Sequence, residues 1–341
     1  MDFSTTYLHK RLRSPLVVSA NPLSERIDNI KRMEDAGAGA VVLYSLFEEQ
    51  LRDEELAIHR LRTHDTGTYG EVMAGLPRPK YHITPDTYLE HIRKAKEAVS
   101  IPIIASLNGS LTGTWTLFAK KIEQAGADGL ELNLYATRAN LNWEFGEIET
   151  NYLVTTKWVV KNTTKIPIAV KLSPFFANLA YFARKLDEEC VDALVLFNRF
   201  YQPDIDLEQR TWHSHLLLSE SDDLRLPLRW IALLHRYVKA KLAATGGIHT
   251  GQDAIKALMA GASVTMMASA LIDRGIDHLK VVGQEIYEWM EKHGYDSVSQ
   301  IQGILSMPEY INLDEFERSQ YMQALTTYLP QQYRTEHQDA S

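Results

Sequence analysis

Two turns rich in small residues stand close together in the carboxyl-terminal half of the chain. Ala244-Thr245-Gly246-Gly247-Ile248-His249-Thr250-Gly251-Gln252-Asp253-Ala254 is followed by Gly261-Ala262-Ser263-Val264-Thr265-Met266-Met267-Ala268-Ser269-Ala270-Leu271. The pattern reads as strand, glycine turn, helix, strand and a second helix start. If the two turns lie side by side at the carboxyl ends of neighbouring parallel strands, the backbone N–H groups of Gly246, Gly247, Ala268 and Ser269 can converge on one anion. Glycine allows the close approach, and a helix start leaves its first amides unpaired. Three more polar groups close apolar runs: Asn133 in Glu131-Leu132-Asn133, Lys171 in Val170-Lys171-Leu172-Ser173-Pro174, and Asn198 in Leu196-Phe197-Asn198. A lysine inside an apolar strand is costly unless an anion or a hydrogen-bonding ligand accepts it, which makes Lys171 a functional candidate. Each asparagine alone is equally compatible with capping loop backbone.

These groups need strands to hold them, and the chain supplies eight. Short β-branched or aliphatic runs recur at residues 16–20, 40–45, 101–107, 129–133, 166–172, 193–198, 241–245 and 263–267. Segments of helical period lie between them, at 26–36, 85–99, 114–125, 152–162 and 253–260. Three crossings share one cadence, Ala36-Gly37-Ala38-Gly39-Ala40, Ala125-Gly126-Ala127-Asp128-Gly129 and Ala260-Gly261-Ala262-Ser263, each feeding directly into a strand. A glycine just past a helix end caps it, and small neighbours let the chain turn tightly into the sheet. Alternating helix and parallel strand with a count of eight predicts a (β/α)8 TIM barrel, in which a phosphate binds beside the last two strands.

Length and composition fit one decorated barrel over residues 1–341, with a C-terminal extension from about residue 306. No apolar run approaches bilayer length, and Met1-Asp2-Phe3-Ser4 lacks the basic-then-apolar order of a signal peptide. The expectation is a cytoplasmic protein without membrane attachment. The single cysteine, Cys190, excludes a disulfide framework or an all-cysteine iron–sulfur site within the chain, and is expected to be a buried structural thiol. With 36 Lys plus Arg against 44 Asp plus Glu, the net charge of -8 argues against a broad nucleic-acid surface. His213-Ser214-His215 offers two imidazoles but no third ligand, so no metal is assigned.

Two connections are too long for ordinary turns and are expected to overhang the catalytic face. Residues 46–84 include His64, Tyr69, Glu71, Gly75 and Pro77, and residues 199–226 include Arg199, Tyr201, Trp212, His213 and Ser219.

The order Ser14-Pro15-Leu16 with Ser19-Ala20, then Glu131-Leu132-Asn133-Leu134, Val170-Lys171-Leu172-Ser173-Pro174, Asn198, and Ala244-Thr245-Gly246-Gly247-Ile248-x-Thr250-Gly251-x-Asp253-Ala254 resembles the dihydroorotate dehydrogenase family. The likeness extends from about residue 4 to 305, and the combination is specific although no piece is. Members of that family are FMN-binding barrels. The resemblance therefore implies FMN, with Ser19 and Ala20 against the flavin ring, Lys171 toward its N1 and O2 edge, and Asn133 and Asn198 near flavin and substrate. It also implies that Thr245, Gly246, Gly247, Ala268, Ser269 and Ser219 surround the phosphate end. Arg138 and Arg199 join Asn133 and Asn198 as expected substrate contacts. The resemblance alone implies a homodimer; the electron donor or acceptor is open, a redox protein among the candidates.

The departures are as informative. Three residues past Asn133, where the family's loop supplies a cysteine or serine base, this chain has Ala136, and the asparagine expected two residues further on is Arg138. The family's lysine at the end of the second strand falls on Tyr44, counted here with the cofactor residues. Glu71-Val72-Met73-Ala74-Gly75-Leu76-Pro77 lacks the family's preceding asparagine. Alanine cannot take a proton, so the base is open among Tyr135, Thr137, Tyr44, Glu71 and His64. The chain reads as a dihydroorotate dehydrogenase-like flavoprotein acting on a small CH–CH donor or C=C acceptor, either dihydroorotate or a related compound. Two rivals use the same residues: an aldolase-type barrel forming a Schiff base at Lys171, and a non-catalytic flavin-binding homologue. A tRNA dihydrouridine synthase shares the FMN barrel, but it would be expected to show a catalytic cysteine and a basic surface.

Overall fold

The computed structural model describes residues 1–51, 84–109, 114–135, 141–144, 146–163, 165–213, 216–308 and 312–328. Eight parallel strands close into a barrel: β3 (Leu16–Val18), β4 (Ala40–Phe47), β5 (Ile103–Gly109), β6 (Gly129–Leu134), β7 (Ile168–Leu172), β8 (Ala193–Leu196), β11 (Lys241–Thr245) and β12 (Val264–Met267). Every expected strand is present, and β12 pairs with β3 to complete the ring. Strands buried on both faces must be apolar throughout. The run of β7, Ile-Ala-Val-Lys-Leu, is buried at all five positions, so its lysine is the exception that needs a partner.

Helices fill the outer layer. Between β3 and β4 lies α1 (Ile27–Asp35), which buries Ile30 and Met33. Next come α2 (Pro85–Ala98), α3 (Thr114–Ala125) and α4 (Glu147–Asn162). They are followed by α5 (Leu179–Glu188), α6 (Arg225–Leu234), α7 (Gly251–Ala260) and α8 (Ser269–Arg274). The long α9 (His278–His293) buries Leu279, Val282, Ile286 and Met290, one stripe at helical spacing, and α10 (Val298–Ile301) follows it. The helix-to-strand cadence is realised: Gly37, Gly126 and Gly261 all adopt positive φ, at 98°, 91° and 124°. At α7 the start is equally well specified, by a capping box in which Thr250 and Asp253 satisfy each other's backbone N–H groups.

A hairpin of β1 (Thr5–Tyr7) and β2 (Lys10–Leu12) precedes the barrel and closes its amino-terminal end. Tyr7, Leu8 and Leu12 pack in one buried cluster with the inward residues Val17, Val42, Ile104, Val195 and Met266. Its two-residue turn uses positive φ at both Leu8 and His9 without glycine. Burial of Leu8 against Gly129, where an added Cβ would approach the Leu8 side chain to 2.9 Å, offsets that backbone strain. A second hairpin, β9 (Asp204–Asp206) with β10 (Thr211–His213), lies exposed within the long connection after β8, where the sequence predicts only an overhanging loop.

Cys190 corrects the sequence reading. It is exposed, at a positive φ of 63° in the turn after α5, so it is not a core thiol. The chain divides into two compact units, Met1–Ser306 and Met307–Ser341, the second containing α11 (Leu313–Thr326). Among the described residues no helix is long and apolar enough to cross a membrane.

Candidate functional site

A cavity of about 380 Å³ opens at the carboxyl ends of the barrel strands, inside the range of roughly 300–1,000 Å³ usual for ligand clefts. Ser19 and Ala20 enter it from the end of β3, Lys171 from β7, and Asn198 and Arg199 from the segment after β8. Thr245, Gly246 and Gly247 line it beyond β11, Ala268 and Ser269 beyond β12, and Ser219 from the connection above.

At one end the two small-residue turns meet as the sequence implies. Gly246 and Gly247 have φ of 88° and 84°, conformations that side chains with a Cβ resist. A Cβ at Gly246 would touch nothing within 4 Å, whereas one at Gly247 would fall 2.3 Å from the backbone nitrogen of Leu224. The turn is therefore open above Gly246 and closed against the short helix Ser221–Leu224 at Gly247. Ser219 ties the pieces together: its N–H donates to the Ser269 hydroxyl at 3.0 Å, and its own hydroxyl accepts the Gly247 N–H at 3.4 Å. The His249 ring meets that hydroxyl at 3.2 Å. Burial, reinforced by the Arg274 charge, holds the His249 imidazole below its usual range and so favours its neutral form. Glycine amides, hydroxyls and an open concavity are a donor set that fits a phosphate group.

The same cavity is lined by Lys171, buried at 6% exposure. Its ammonium donates to the Ser19 hydroxyl at 3.1 Å and to Glu131 Oε1 at 3.4 Å. Glu131 is wholly buried one strand away, a residue to which the sequence alone assigns no role. The register pairs Asn133 with Lys171, so Glu131, two residues earlier on the same face of β6, reaches Lys171 diagonally. That alternation was the signal available in the sequence. Asn133, also buried, donates from Nδ2 to the Ser106 hydroxyl at 2.8 Å, with longer contacts to the Ser45 hydroxyl and the Leu107 carbonyl.

Tyr44 sits elsewhere. A register shift between Val42 and Ser45 in the β4–β5 pairing turns the strand, so Ser45 meets Ser106 and Asn133 in the interior. The Tyr44 ring instead packs edge-on against Tyr88 and beside His91, both on α2. Burial, with the charge of Glu25, pushes its phenol up to about 12.

Aromatic side chains form one rim. Phe200 packs on Tyr135 and edge-on against Phe175, and the phenol oxygen of Tyr135 accepts the Tyr201 N–H at 2.9 Å. Tyr135 thereby joins the segments after β6 and β8. Arg199 pairs with Asp223 at 3.0 Å beside the cavity. Burial alone would raise the Asp223 carboxyl, but the Glu220 N–H and the Arg199 guanidinium outweigh it and hold it below the ordinary range. Ala136, Thr137 and Arg138, with His64 and Glu71, lie outside the described residues, as do Ser214 and His215. Among the described residues, no group of three or more His, Cys, Asp or Glu is placed to hold a metal ion.

Comparison with known proteins agrees with this geometry. A family model described as "Dihydroorotate dehydrogenase" matches residues 82–290. Among curated relatives, the "Dihydroorotate dehydrogenase B (NAD(+)), catalytic subunit" of Pyrococcus abyssi is 27% identical over 300 residues, covering 86% of this chain and 96% of its own. Its namesake from Thermoplasma volcanium is 27% identical over 310 residues, covering 89% and 98%, and that of Methanosarcina acetivorans is 25% identical over 301 residues, covering 86% and 93%. A family match over more than half of the residues, on a closed parallel barrel whose strand ends carry the expected lysine and paired small-residue turns, makes this chain a member of the dihydroorotate dehydrogenase family.

Proposed function

We propose that the protein is an FMN-dependent oxidoreductase that acts on a small CH–CH donor or C=C acceptor, dihydroorotate or a related compound. One observation carries the reading: the same cavity is lined by an anion-fitting cradle at Gly246, Gly247 and Ser269 and by a buried lysine, Lys171. The cradle would hold the phosphate of FMN. Ser19, Ala20 and Lys171 would border its ring, with Asn198 and Arg199 on the substrate side. When bound, the flavin supplies the hydride chemistry; the chain orients it and tunes its electronics. Lys171 would set a positive charge beside the ring, of the sign that favours its reduced form.

The substrate is where this chain departs from its relatives. Ala136 carries no proton acceptor, and Tyr135 has its phenol oxygen committed to the Tyr201 N–H, so its role in this reading is to hold the rim. Arg199 and Arg138 would favour an anionic substrate. The curated relatives are named as catalytic subunits, which suggests that a separate electron-carrying protein serves this chain too. We propose, as for the family, a homodimeric protein of the cytoplasm. The aldolase-type alternative is disfavoured by the Glu131 contact, because an ion-paired ammonium is a poor nucleophile.

The decisive experiment is reconstitution of the purified chain with FMN, followed by anaerobic addition of candidate substrates while the flavin absorbance is recorded. Stoichiometric FMN uptake is expected, with bleaching by the true substrate. A chain that takes up no FMN refutes the cofactor, and borohydride trapping of a substrate adduct on Lys171 would replace this reading by the aldolase one.

A further inference from the structure

We infer that Glu131 is a positioning residue that sets how much of the Lys171 positive charge reaches the cavity. The inference rests on the FMN reading above, and assigns within it a part to a residue that does not itself line the cavity.

Glu131 is fully buried, with one carboxylate oxygen on Lys171 and the other, Oε2, without a hydrogen-bond partner among the described residues. In the β5–β6 pairing Glu131 stands opposite the buried Ser106, and Val17, Val42, Ile104 and Val195 form a buried apolar cluster of the barrel interior. Stability does not explain such a pair, since well-packed apolar residues of similar volume commonly serve as well or better. Lys171 nevertheless borders the cavity beside Ser19, while the carboxylate lies behind it. The ammonium is thus held between a fixed negative charge on its inner side and the ligand space on its outer side. Burial is the main cause that raises the phenol of Tyr7, on the barrel floor, and the Glu131 charge raises it further; Tyr88 on α2 is affected in the same sense.

A group beside Lys171 that gains negative charge therefore experiences two opposed influences. The nearer ammonium favours the charge and the more distant carboxylate opposes it. Removing the carboxylate charge should make the flavin easier to reduce, and removing the ammonium should make it harder. A residue needed only for packing would not give opposite signs.

The test is anaerobic redox titration of FMN bound to the wild type, Glu131→Gln, Glu131→Asp, Lys171→Met and the Glu131→Gln/Lys171→Met double variant, with FMN affinity and thermal melting measured beside it. Glu131→Gln is expected to raise the preference for reduced over oxidised FMN at least tenfold, an upward shift of about 30 mV for a two-electron couple. Glu131→Asp should fall between glutamate and glutamine, because its charge is kept but withdrawn by one methylene. In the Lys171→Met background the glutamine increment should shrink to less than half, because a wholly buried carboxylate is too costly to keep charged once its ammonium partner is gone. If the glutamine variant does not fold, the aspartate variant decides alone: an upward shift supports the inference, and no shift overturns it. An unchanged or lowered potential in Glu131→Gln, with FMN bound normally, overturns the role of Glu131 and leaves the cofactor assignment standing. Absence of FMN from the wild type overturns the cofactor assignment and this inference with it.

Discussion

Gly246 and Gly247 share a turn and nearly the same φ, yet the structure separates them sharply. Alanine at Gly246 meets open space and incurs only the positive-φ penalty, about 1 kcal/mol. At Gly247 the same methyl falls 2.3 Å from the Leu224 nitrogen and 2.8 Å from its Cα, so the Ser221–Leu224 turn must move. Overpacking of that kind adds about 1–3 kcal/mol. Thermal melting of the apo-protein should therefore show Gly247→Ala losing several degrees more than Gly246→Ala, at about 2 °C per kcal/mol in a chain of this size. The open position is then the clean place for a charge. Gly246→Asp sets a carboxylate toward the anion cradle; at ~5 Å and an effective dielectric of ~20 the repulsion is about 3 kcal/mol per phosphate charge, on the order of a hundredfold in FMN affinity. Isothermal titration with FMN reads this directly, with Gly246→Ala as the steric control. Equal loss of affinity in Gly246→Ala and Gly246→Asp would refute the cradle as a phosphate site. Equal melting temperatures for the two alanine variants would refute the packing of Leu224 on Gly247.

Three further outcomes are expected. Dihydroorotate should reduce the bound flavin at least about a hundredfold more slowly than in a relative retaining its base; recovery in Ala136→Cys would show that only the base is missing, and rapid bleaching in the wild type would contradict the expectation. Arg199→Ala should raise KM for an anionic substrate while shifting stability by less than about 1 kcal/mol, because its pair with Asp223 is half-exposed; an unchanged KM removes Arg199 from substrate binding. Desolvation by burial lowers His91, His235 and His249 below their ordinary value of 6.5, so below about pH 6.5 the unfolded chain binds protons that the folded chain refuses. Melting temperature should consequently fall as pH is lowered from 7.5 toward 5.5, less steeply in His249→Gln, and a flat profile would contradict those burial effects.

The barrel was legible because its strands are short apolar runs between glycine-capped helices, and both signals are local. The same locality hid other features. Tyr44 occupies the position where the family has a lysine, but the register shift before Ser45 depends on pairing with β5 and leaves no mark in the sequence of β4. The β1–β2 hairpin turns on Leu8 and His9, which lack the usual Asn or Gly signature, and only the interior that receives Leu8 explains them. Cys190 is expected to be buried because it precedes an apolar strand, whereas its turn leaves it exposed. Glu131 was missed for a different reason. Its alternation with Asn133 was readable, but the diagonal reach to Lys171 requires the parallel register.

The barrel floor also constrains the order in which the molecule can assemble. Tyr7, Leu8 and Leu12 seal the interior, and Thr5 donates its hydroxyl to the Ser263 carbonyl, 258 residues away, while Val298 donates its N–H to the carbonyl of Asp2. The first dozen residues therefore cannot settle until the last strand and the helices beyond it exist, which makes closure of the floor one of the latest, highest-contact-order events in folding. The amino-terminal hairpin and the segment at Val298 thus act together as the final stopper on an interior whose Lys171–Glu131 pair the barrel strands have already positioned.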